Sequence, residues 1–595
     1  MNKKKSGFHL PRTRGGRTIL SLVITALVGF VYFYVTLPAL NPHSGDFYSF
    51  LGLLCVVYLL ATFILSGAPH TGDGEAEVVT TPGEKMKDWL RFIKSRCLPV
   101  GILFVLVVAV AAIGQVLSLP IFRAASYRDL LTVEDRDFAQ DVAQISFSEI
   151  PTLDRQSAEY LGDRQMGTLS DMVSQFEYSN DSTQINYQGR PVRVAPIAYA
   201  DLVKWLTNRG NGLPAYVVVD MVTQQATVTR LNEGMKYSFS EPLNRNILRH
   251  LRFQYPTMMF TTPEFEIDEN GHPFWVAPRM VKTIGLFGGI DIKGAVLVDA
   301  VTGESQYYET VPNWVDNVYD PHLIMQQYDY HGTFINGFIN SILGQRGVTK
   351  TTQGYNYIAI NDDVYAYTGV TSANADQSNL GFLLCNMRTK QTSFYEAPGA
   401  TEVAAMQSAM GVVQDLGYVA TFPLLLNIAG EPTYFIPLKD KTELVKSYAM
   451  VNVAQYQIVV TGDSVSGCEQ KYIQRLADKG ITTEEALPQT KAEGKVAEIR
   501  TAVLEGNTYY FIRLENEQVF YSISASENRE VVTLNVGDDL VIDHAIPSEN
   551  STSSILDGYS LSINGRAVES TPAEPAVPET PAEEILPEVP ADPAA

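Results

Sequence analysis

Apolar runs without charge dominate the first 120 residues, and short alternating runs dominate the remainder of the chain. The stretches 18–37, 47–66 and 98–119 contain no Asp, Glu, Lys, Arg or His, and each has about the 20 residues a helix needs to cross the hydrocarbon core. Three membrane-spanning helices are predicted. A secretory signal peptide competes for the first run, since basic residues precede it. Against that account, the run is longer than a signal core, lacks a clean small-x-small cleavage site, and is succeeded almost at once by a second uncharged run. Lys3, Lys4, Lys5, Arg12, Arg14 and Arg17 precede the first run, and Lys85, Lys87, Arg91, Lys94 and Arg96 precede the third. The connection between runs one and two, PALNPHSGD, has no Lys or Arg. Basic flanks stay cytoplasmic, so everything after about Pro120 is expected outside the cell, at a plasma membrane crossed several times. Polar groups in the spans are few, among them Thr25, Ser49, Thr62, Gln115 and Ser118, and no Asp, Glu, Lys, Arg or His is there to serve a proton relay or pump.

Beyond the spans one phrase occurs three times. Residues 214–231 (PAYVVVDMVTQQATVTRL), 293–310 (KGAVLVDAVTGESQYYET) and 380–397 (LGFLLCNMRTKQTSFYEA) align without gaps, with Asp220, Asp299 and Asn386 in register and Thr223, Thr302 and Thr389 three places later. Before the turn the inner positions are aliphatic or small (Val217 and Val219, Val296 and Val298, Leu383 and Cys385). After it come Thr227–Thr229, Gln306–Tyr308 and Ser393–Tyr395. Period-2 patterning on both sides predicts a β-hairpin. The Asp or Asn oxygen is expected to accept from backbone amides just beyond it, an Asx-turn, with Gly303 free to take positive φ. Helical period marks Tyr199–Arg209, Thr401–Leu416 and Leu323–Leu343, the last broken near Gly332. Helices alternating with antiparallel hairpins read as α+β.

These hairpins, together with 265–278 (FEIDENGHPFWVAP) and 432–453 (PTYFIPLKDKTELVKSYAMVNV), resemble the PepSY-like extracytoplasmic domains. The resemblance covers about half of the outer body and departs from the family in long insertions such as 311–380. It implies a helix packed on each sheet, and a non-catalytic, envelope-facing module that regulates or contacts peptidases or wall components. Near the C-terminus, 493–544 has several short strands with regular turns (GKV, YYFIRL, VFY, GDDLVI) and resembles an OB-like barrel. That fold often binds nucleic acid or sugars; a structural or protein-contact barrel is the plainer account. From about Arg566 the chain is Pro-, Glu- and Ala-rich, too polar to bury a core. It forms either a spacer reaching into the wall or a plain solvated tail.

The resulting plan is a membrane anchor with three transmembrane helices (1–122), a connecting region (123–200), a PepSY-like repeated α+β body (201–460), a helical linker (461–491), an OB-like β-barrel (492–565) and a disordered tail (566–595). At 595 residues several domains are expected. A net charge of −22 argues against nucleic acid, whose phosphates call for clustered Lys and Arg. Four cysteines stand at 55, 97, 385 and 468 without a CxxC. Cys385 and Cys468 could form one disulfide or remain two thiols, and Cys97, beside basic residues, is either palmitoylated or a plain boundary cysteine.

Chemistry-bearing residues are scattered. His250, His272, His322, His331 and His544 form no HxH or HxxxH pair, so no metal is expected. The segment 361–379 gathers Asp362, Asp363, Thr371, Ser372, Asp376 and Ser378, either a calcium-binding cluster without EF-hand spacing or a polar loop between strands. Asp268-Glu269-Asn270-Gly271 is a hairpin turn, and GLFGGIDIKG (285–294) a bend rather than a phosphate cradle. Glu264 and Glu266 alternate on a strand and point the same way. That arrangement suits either acid–base work on a glycoside or two solvent-facing positions. Trp89, Trp205, Trp275 and Trp314 are either core residues or sugar-stacking platforms. No nucleophile signature is present.

The expected function is a membrane-anchored extracytoplasmic binding, scaffolding or regulatory protein of the bacterial envelope, without catalytic, cofactor or metal residues. Its partners would be the lipid bilayer and an envelope protein, with no nucleic acid. The alternative is a membrane-anchored hydrolase of cell-wall polymer or peptide that uses Glu266, Asp363 and Asp376.

Overall fold

The computed structural model describes residues 14–66, 82–141, 150–360, 362–373, 378–482, 489–504, 507–525, 528–545 and 555–567. Lys3, Lys4, Lys5 and Arg12 of the N-terminal basic run, Asp376 and the tail from 568 lie outside the described residues. Helices α1 (Arg14–Thr36), α2 (Gly45–Ser66) and α3 (Pro82–Leu117) contain the three candidate spans. Their apolar side chains point outward, as lipid-facing positions do, and among the described residues no charge falls in the core of a span. The third helix starts before its apolar run because Lys94 and Arg96 are good helix formers. α1 packs on α2 where Gly29 admits Leu54 and Phe33 meets Phe50. At the opposite end from the body, Arg17 donates to the Leu65 carbonyl at 3.2 Å.

After α4 (Pro120–Arg128), β1 (Val133–Arg136) and α5 (Phe138–Asp141), the chain folds into four units of one topology. The first has α6 (Arg155–Gly167), β2 (Phe176–Tyr178), β3 (Thr183–Tyr187), β4 (Arg190–Tyr199), α7 (Leu202–Asn208), β5 (Leu213–Asp220) and β6 (Ala226–Met235). The second has α8 (Ile247–Gln254), β7 (Met259–Phe260), β8 (Glu264–Ile267), β9 (Pro273–Ile284), β10 (Gly288–Asp299) and β11 (Ser305–Tyr308). The third has α9 (Pro321–Thr333), α10 (Gly337–Ile339) with a π-helical turn (Asn340–Gly344), β12 (Thr349–Thr351), β13 (Asn356–Ile360), β14 (Asp363–Ser372), β15 (Ser378–Asn386) and β16 (Thr392–Ala400). The fourth has α11 (Glu402–Val412), β17 (Val419–Ala420), β18 (Leu424–Ile428), β19 (Glu431–Lys439), β20 (Val445–Asn452) and β21 (Val459–Gly462). In each unit the long third strand pairs with both short strands along one edge and with the fourth strand along the other, and the fifth closes the antiparallel sheet. β1 adds to β16 in parallel. β2, β3 and β4, within the expected connecting region, belong to the same sheet as β5 and β6.

The recurring phrase is the turn between fourth and fifth strands. Oδ1 of Asp220 accepts from the Val222 and Thr223 amides at 2.9 and 2.8 Å. Asp299 does the same with Val301 and Thr302 at 2.8 and 2.9 Å, and Asn386 with Arg388 and Thr389 at 3.0 and 2.9 Å. The residue after each Thr takes positive φ: Gln224, Gly303 and Lys390. The fourth copy is Asn452, whose Oδ1 accepts from Gln455 at 2.8 Å across a turn one residue longer.

A second signal recurs upstream. Gly189-Arg190-Pro191, Gly271-His272-Pro273 and Gly430-Glu431-Pro432 open the third strands, with Asp362-Asp363-Val364 in the third unit, and the first residue of each has positive φ. Five places after each prolyl position stand Pro196, Pro278, Gly369 and Pro437. Each lies where the third strand passes from one short partner strand to the other, the place where a missing amide proton leaves no ladder bond unmade. One core runs through all four units and α12 (Val465–Asp478), with Trp275, Phe382, Tyr434 and Tyr472 fully buried.

The C-terminal strands are β22 (Gln489–Leu504), β23 (Asn507–Leu514), β24 (Phe520–Ser524), β25 (Asp539–Ala545), β26 (Ile555–Ile563) and β27 (Arg566–Ala567). β22 pairs with β23 through one half and with β25 through the other, while β24 pairs parallel with β26. The first five therefore close a barrel around a separate core of Ile512, Ile523, Leu540 and Ile542.

The body grips the ends of all three long helices. Arg252 Nε donates to the Leu37 carbonyl at 2.8 Å, Asn41 Nδ2 to that of Thr257 at 2.9 Å, and the Leu286 and Phe287 amides to Ser118 Oγ at 3.0 Å. The glycine-rich segment 285–294 begins as this β9–β10 hairpin tip. Residues 285–287 are the turn and residues 288–294 belong to β10, and Gly285 (φ +61°) sits where a Cβ would meet Ser118.

Candidate functional site

A groove of roughly 600 Å³ opens between the first and second units. Its floor is built by register. Ala215 pairs with Arg230 and Leu213 with Met235, so residues 231–234 bulge out opposite Pro214. Bulges at an edge strand re-aim side chains, and here Leu231, Asn232 and Glu233 enter the groove wall. Tyr187 and Tyr216 form one side, and the Tyr216 hydroxyl donates to the Gly271 carbonyl at 2.9 Å. The second unit contributes Ile267, the turn Asn270-Gly271-His272, and Val301 and Thr302. The lining mixes aromatic, aliphatic, amide, imidazole and hydroxyl groups, with Glu233 its single carboxylate and Arg230 its single guanidinium. Arg230 is also bound to Asp171 at 2.7 Å.

His272 Nε2 lies 3.0 Å from Asp299 Oδ2 at the groove edge. Burial pushes Asp299 up, but the Thr302 and Val301 amides and His272 outweigh it and hold the carboxyl below its usual range. This pair is one of four equivalents. In the first unit Arg190 Nη1 meets Asp220 at 3.3 Å. In the third the Asn386 amide donates to Asp363 at 2.7 Å, and in the fourth the Asn452 amide donates to Glu431 at 3.3 Å. The residue after the positive-φ position always latches the Asx residue, a cation or imidazole where that residue is Asp and a carboxylate where it is Asn.

That repetition explains Asp363, which also binds Arg388 Nε at 2.9 Å. Most of the polar stretch 361–379 is not a loop. Residues 363–372 form β14, with Ala366, Tyr367 and Val370 in the core. Among the described residues no group of three or more His, Cys, Asp or Glu is placed to hold a metal ion.

Glu264 and Glu266 do point the same way, but inward. Glu264 Oε2 accepts from Thr183 at 3.0 Å. Glu266 is fully buried, and its two oxygens accept from the Asp316 and Asn317 amides at 2.9 and 2.8 Å. Asp316 Oδ2 accepts from the Asn186 amide at 2.6 Å, and Asn317 Nδ2 donates to the Gln184 carbonyl at 2.8 Å. The connection into the third unit is thus held by β3 and β8 together. The sheet registers align Glu266 with Ile185, Ile358 and Leu426, all buried. Of these four positions only that of the second unit holds a carboxylate, and there it accepts from the backbone of the connection packed on it. Burial raises Glu266 to about 7 against the pull of those amides, and burial with Glu266 nearby raises Asp316 well above the carboxylate range.

Trp275 and Trp205 are buried, with indole N–H groups bonded to the Tyr237 carbonyl and to Glu241 at 2.9 and 2.7 Å, while Trp314 packs on Phe274. Cys385 and Cys468 are separate free thiols. Burial pushes the Cys385 thiol up to about 12. Comparison with known proteins gives no match to a family model and none to a curated protein.

Proposed function

We propose that the chain is a membrane-anchored extracytoplasmic binding and scaffolding protein of the bacterial envelope, built from PepSY-like helix-plus-sheet units and an OB-like barrel, and that its groove takes up a segment of a partner protein. The spans support the anchoring. The positive-inside pattern of Lys and Arg supports an extracytoplasmic body. The helix joined to an antiparallel sheet, four times over, supports the PepSY-like reading, and the strand order of the closed barrel supports the OB-like one.

The observation that carries the binding reading is the open, chemically mixed groove at the 231–234 bulge, where aromatic and amide groups offer adaptable contact area. Hydrolysis by Glu266 and Asp363 is the weaker reading, because both carboxylates are spent on internal donors and neither lines the groove. A photo-crosslinking residue at Asn232 of the full-length protein in native membranes should capture one discrete envelope protein. Asn270→Arg should abolish that product. No product above that of a probe on the barrel surface at Val536, or a product indifferent to Asn270→Arg, removes the groove as the contact surface. Protease added to intact spheroplasts tests the orientation: the body should be digested, and its protection would reverse the assignment.

A further inference from the structure

The helix ends locate the membrane surface on the body. α1 ends at Thr36, α2 begins at Gly45 and α3 ends at Leu117, all on the face that the second unit grips. Two apolar patches flank this anchor. The first is on α7, where Leu202 and Val203 are 62% and 64% exposed and Leu206 is exposed as well. Trp205, on the other side of α7, is buried and bonded to Glu241. Arg245 Nη1 donates to the Arg209 carbonyl at the end of α7 at 2.7 Å, and its neighbour Asn244 accepts from the Tyr34 hydroxyl at 3.0 Å. These bonds place α7 beside the exit of α1.

The second patch comes after α3. α4 begins three residues after that helix and exposes Ile121 and Phe122. Phe338 stacks on Phe334, in the cluster that Phe334 forms with Tyr127 and Ile284, and just beyond it Ile339, the last residue of α10, and Leu343, in the π-helical turn, are 73% and 82% exposed.

We propose that the two patches seat the body on the lipid bilayer, residues 202–206 and 339–343 dipping into the boundary between headgroups and acyl chains of the leaflet from which α1 and α3 emerge. Exposed aliphatic clusters of this kind are unfavourable in water and mark a contact surface. At the membrane interface the same side chains gain, and cations at their margins meet anionic headgroups. Lys204 and Arg209 flank the first patch, and Arg123 and Arg346 flank the second. Both patches adjoin a helix that leaves the membrane, which favours lipid over a second protein as the occupant. Seating at two points beside the anchor fixes the tilt of the body. The inference rests on the three helices spanning the membrane and not on the groove.

The test places an environment-sensitive fluorescent amino acid at Val203, at Leu343 and, as a control, at Val536 of the barrel, a valine as exposed as Val203. The full-length protein is reconstituted into nanodiscs with phosphatidylcholine brominated near the headgroup end of the acyl chain. Probes at 203 and 343 should be blue-shifted and quenched, and the probe at 536 neither. Equal quenching at all three positions, or none at 203 and 343, overturns the proposal. A blue shift without quenching also overturns it, because protein rather than lipid then covers the patch.

Discussion

The second and fourth units share a frame and differ where the third strand turns into the fourth. In the fourth unit that connection is tight: Asp440 Oδ1 accepts from the Thr442 and Leu444 amides at 2.7 and 3.3 Å. In the second unit β9 and β10 run twelve residues each and carry the tip of their hairpin onto the end of α3. In the first unit the same connection holds α7 and its exposed aliphatic face. The frame is kept by groups that satisfy backbone donors at fixed places, namely the Asx turns, the positive-φ residues and the latches. The variable connection is where the units differ in what they present, a docked tip in the second and an exposed aliphatic face in the first. A repeat protein can therefore change what it touches without changing how its units fold.

The largest expected effect lies at the frame position that departs from its equivalents. Glu266→Ala leaves the Asp316 and Asn317 amides without acceptors in the interior, and thermal unfolding in detergent should show a loss of about 3–5 kcal/mol. Leu426→Ala, at the equivalent position of the fourth unit, removes only packing and should cost about 2–4 kcal/mol. If the two losses are equal and Glu266→Ile restores stability fully, Glu266 is an ordinary core position and the contrast between the units fails.

The same site should respond to pH. The folded pKa of Glu266, raised to about 7, exceeds that of an unfolded carboxyl, so between roughly pH 4.5 and 7 the folded state holds more protons than the unfolded one. Its contribution to stability is complete below the unfolded pKa and falls as pH rises to the folded one; the raised Asp316 acts in the same direction. Melting temperature should therefore decline over this window, and Glu266→Gln should flatten part of the decline. An unchanged slope in the variant refutes the assignment.

Much of this frame was legible in the sequence. Three gapless hairpins gave three Asx turns, and the helical period gave α7, α11 and the break of α9 after Gly332. The fourth copy was hidden because its turn is one residue longer and has Gln455 in place of Thr. The Gly-x-Pro openings repeated in plain view, but one copy reads Asp-Asp-Val, which looks like a polar loop until Asp363 is seen to latch Asn386. The inward aim of Glu266 depends on a connection fifty residues away, and the groove on a bulge in pairing. Neither is a local property of the chain.

A smaller effect separates the variable connections. Ser118→Ala removes the acceptor shared by the Leu286 and Phe287 amides and should destabilise the docked tip by about 1–2 kcal/mol. Hydrogen exchange at these amides should quicken with little change elsewhere. Asp440→Ala should cost about 1 kcal/mol and quicken only the turn of the fourth unit. Equal exchange at residues 286–287 in wild type and Ser118→Ala would mean the tip is held by apolar contact alone.

The smallest effect tests whether the latches are interchangeable. In the second unit His272 faces Asp299, whereas in the fourth Glu431 faces an Asn amide. His272→Glu sets two carboxylates against each other and should cost about 1 kcal/mol, since the pair is partly exposed and solvent screens the repulsion. Adding Asp299→Asn recreates the pairing of the fourth unit: the amide can donate to the new carboxylate while its oxygen still accepts from Val301 and Thr302. The double variant should recover most of the loss, giving a coupling energy of about 0.5–1 kcal/mol in a double-mutant cycle. Additive losses would show that the four pairs merely coincide in place, and that His272 and Asp299 are held together by something peculiar to the groove.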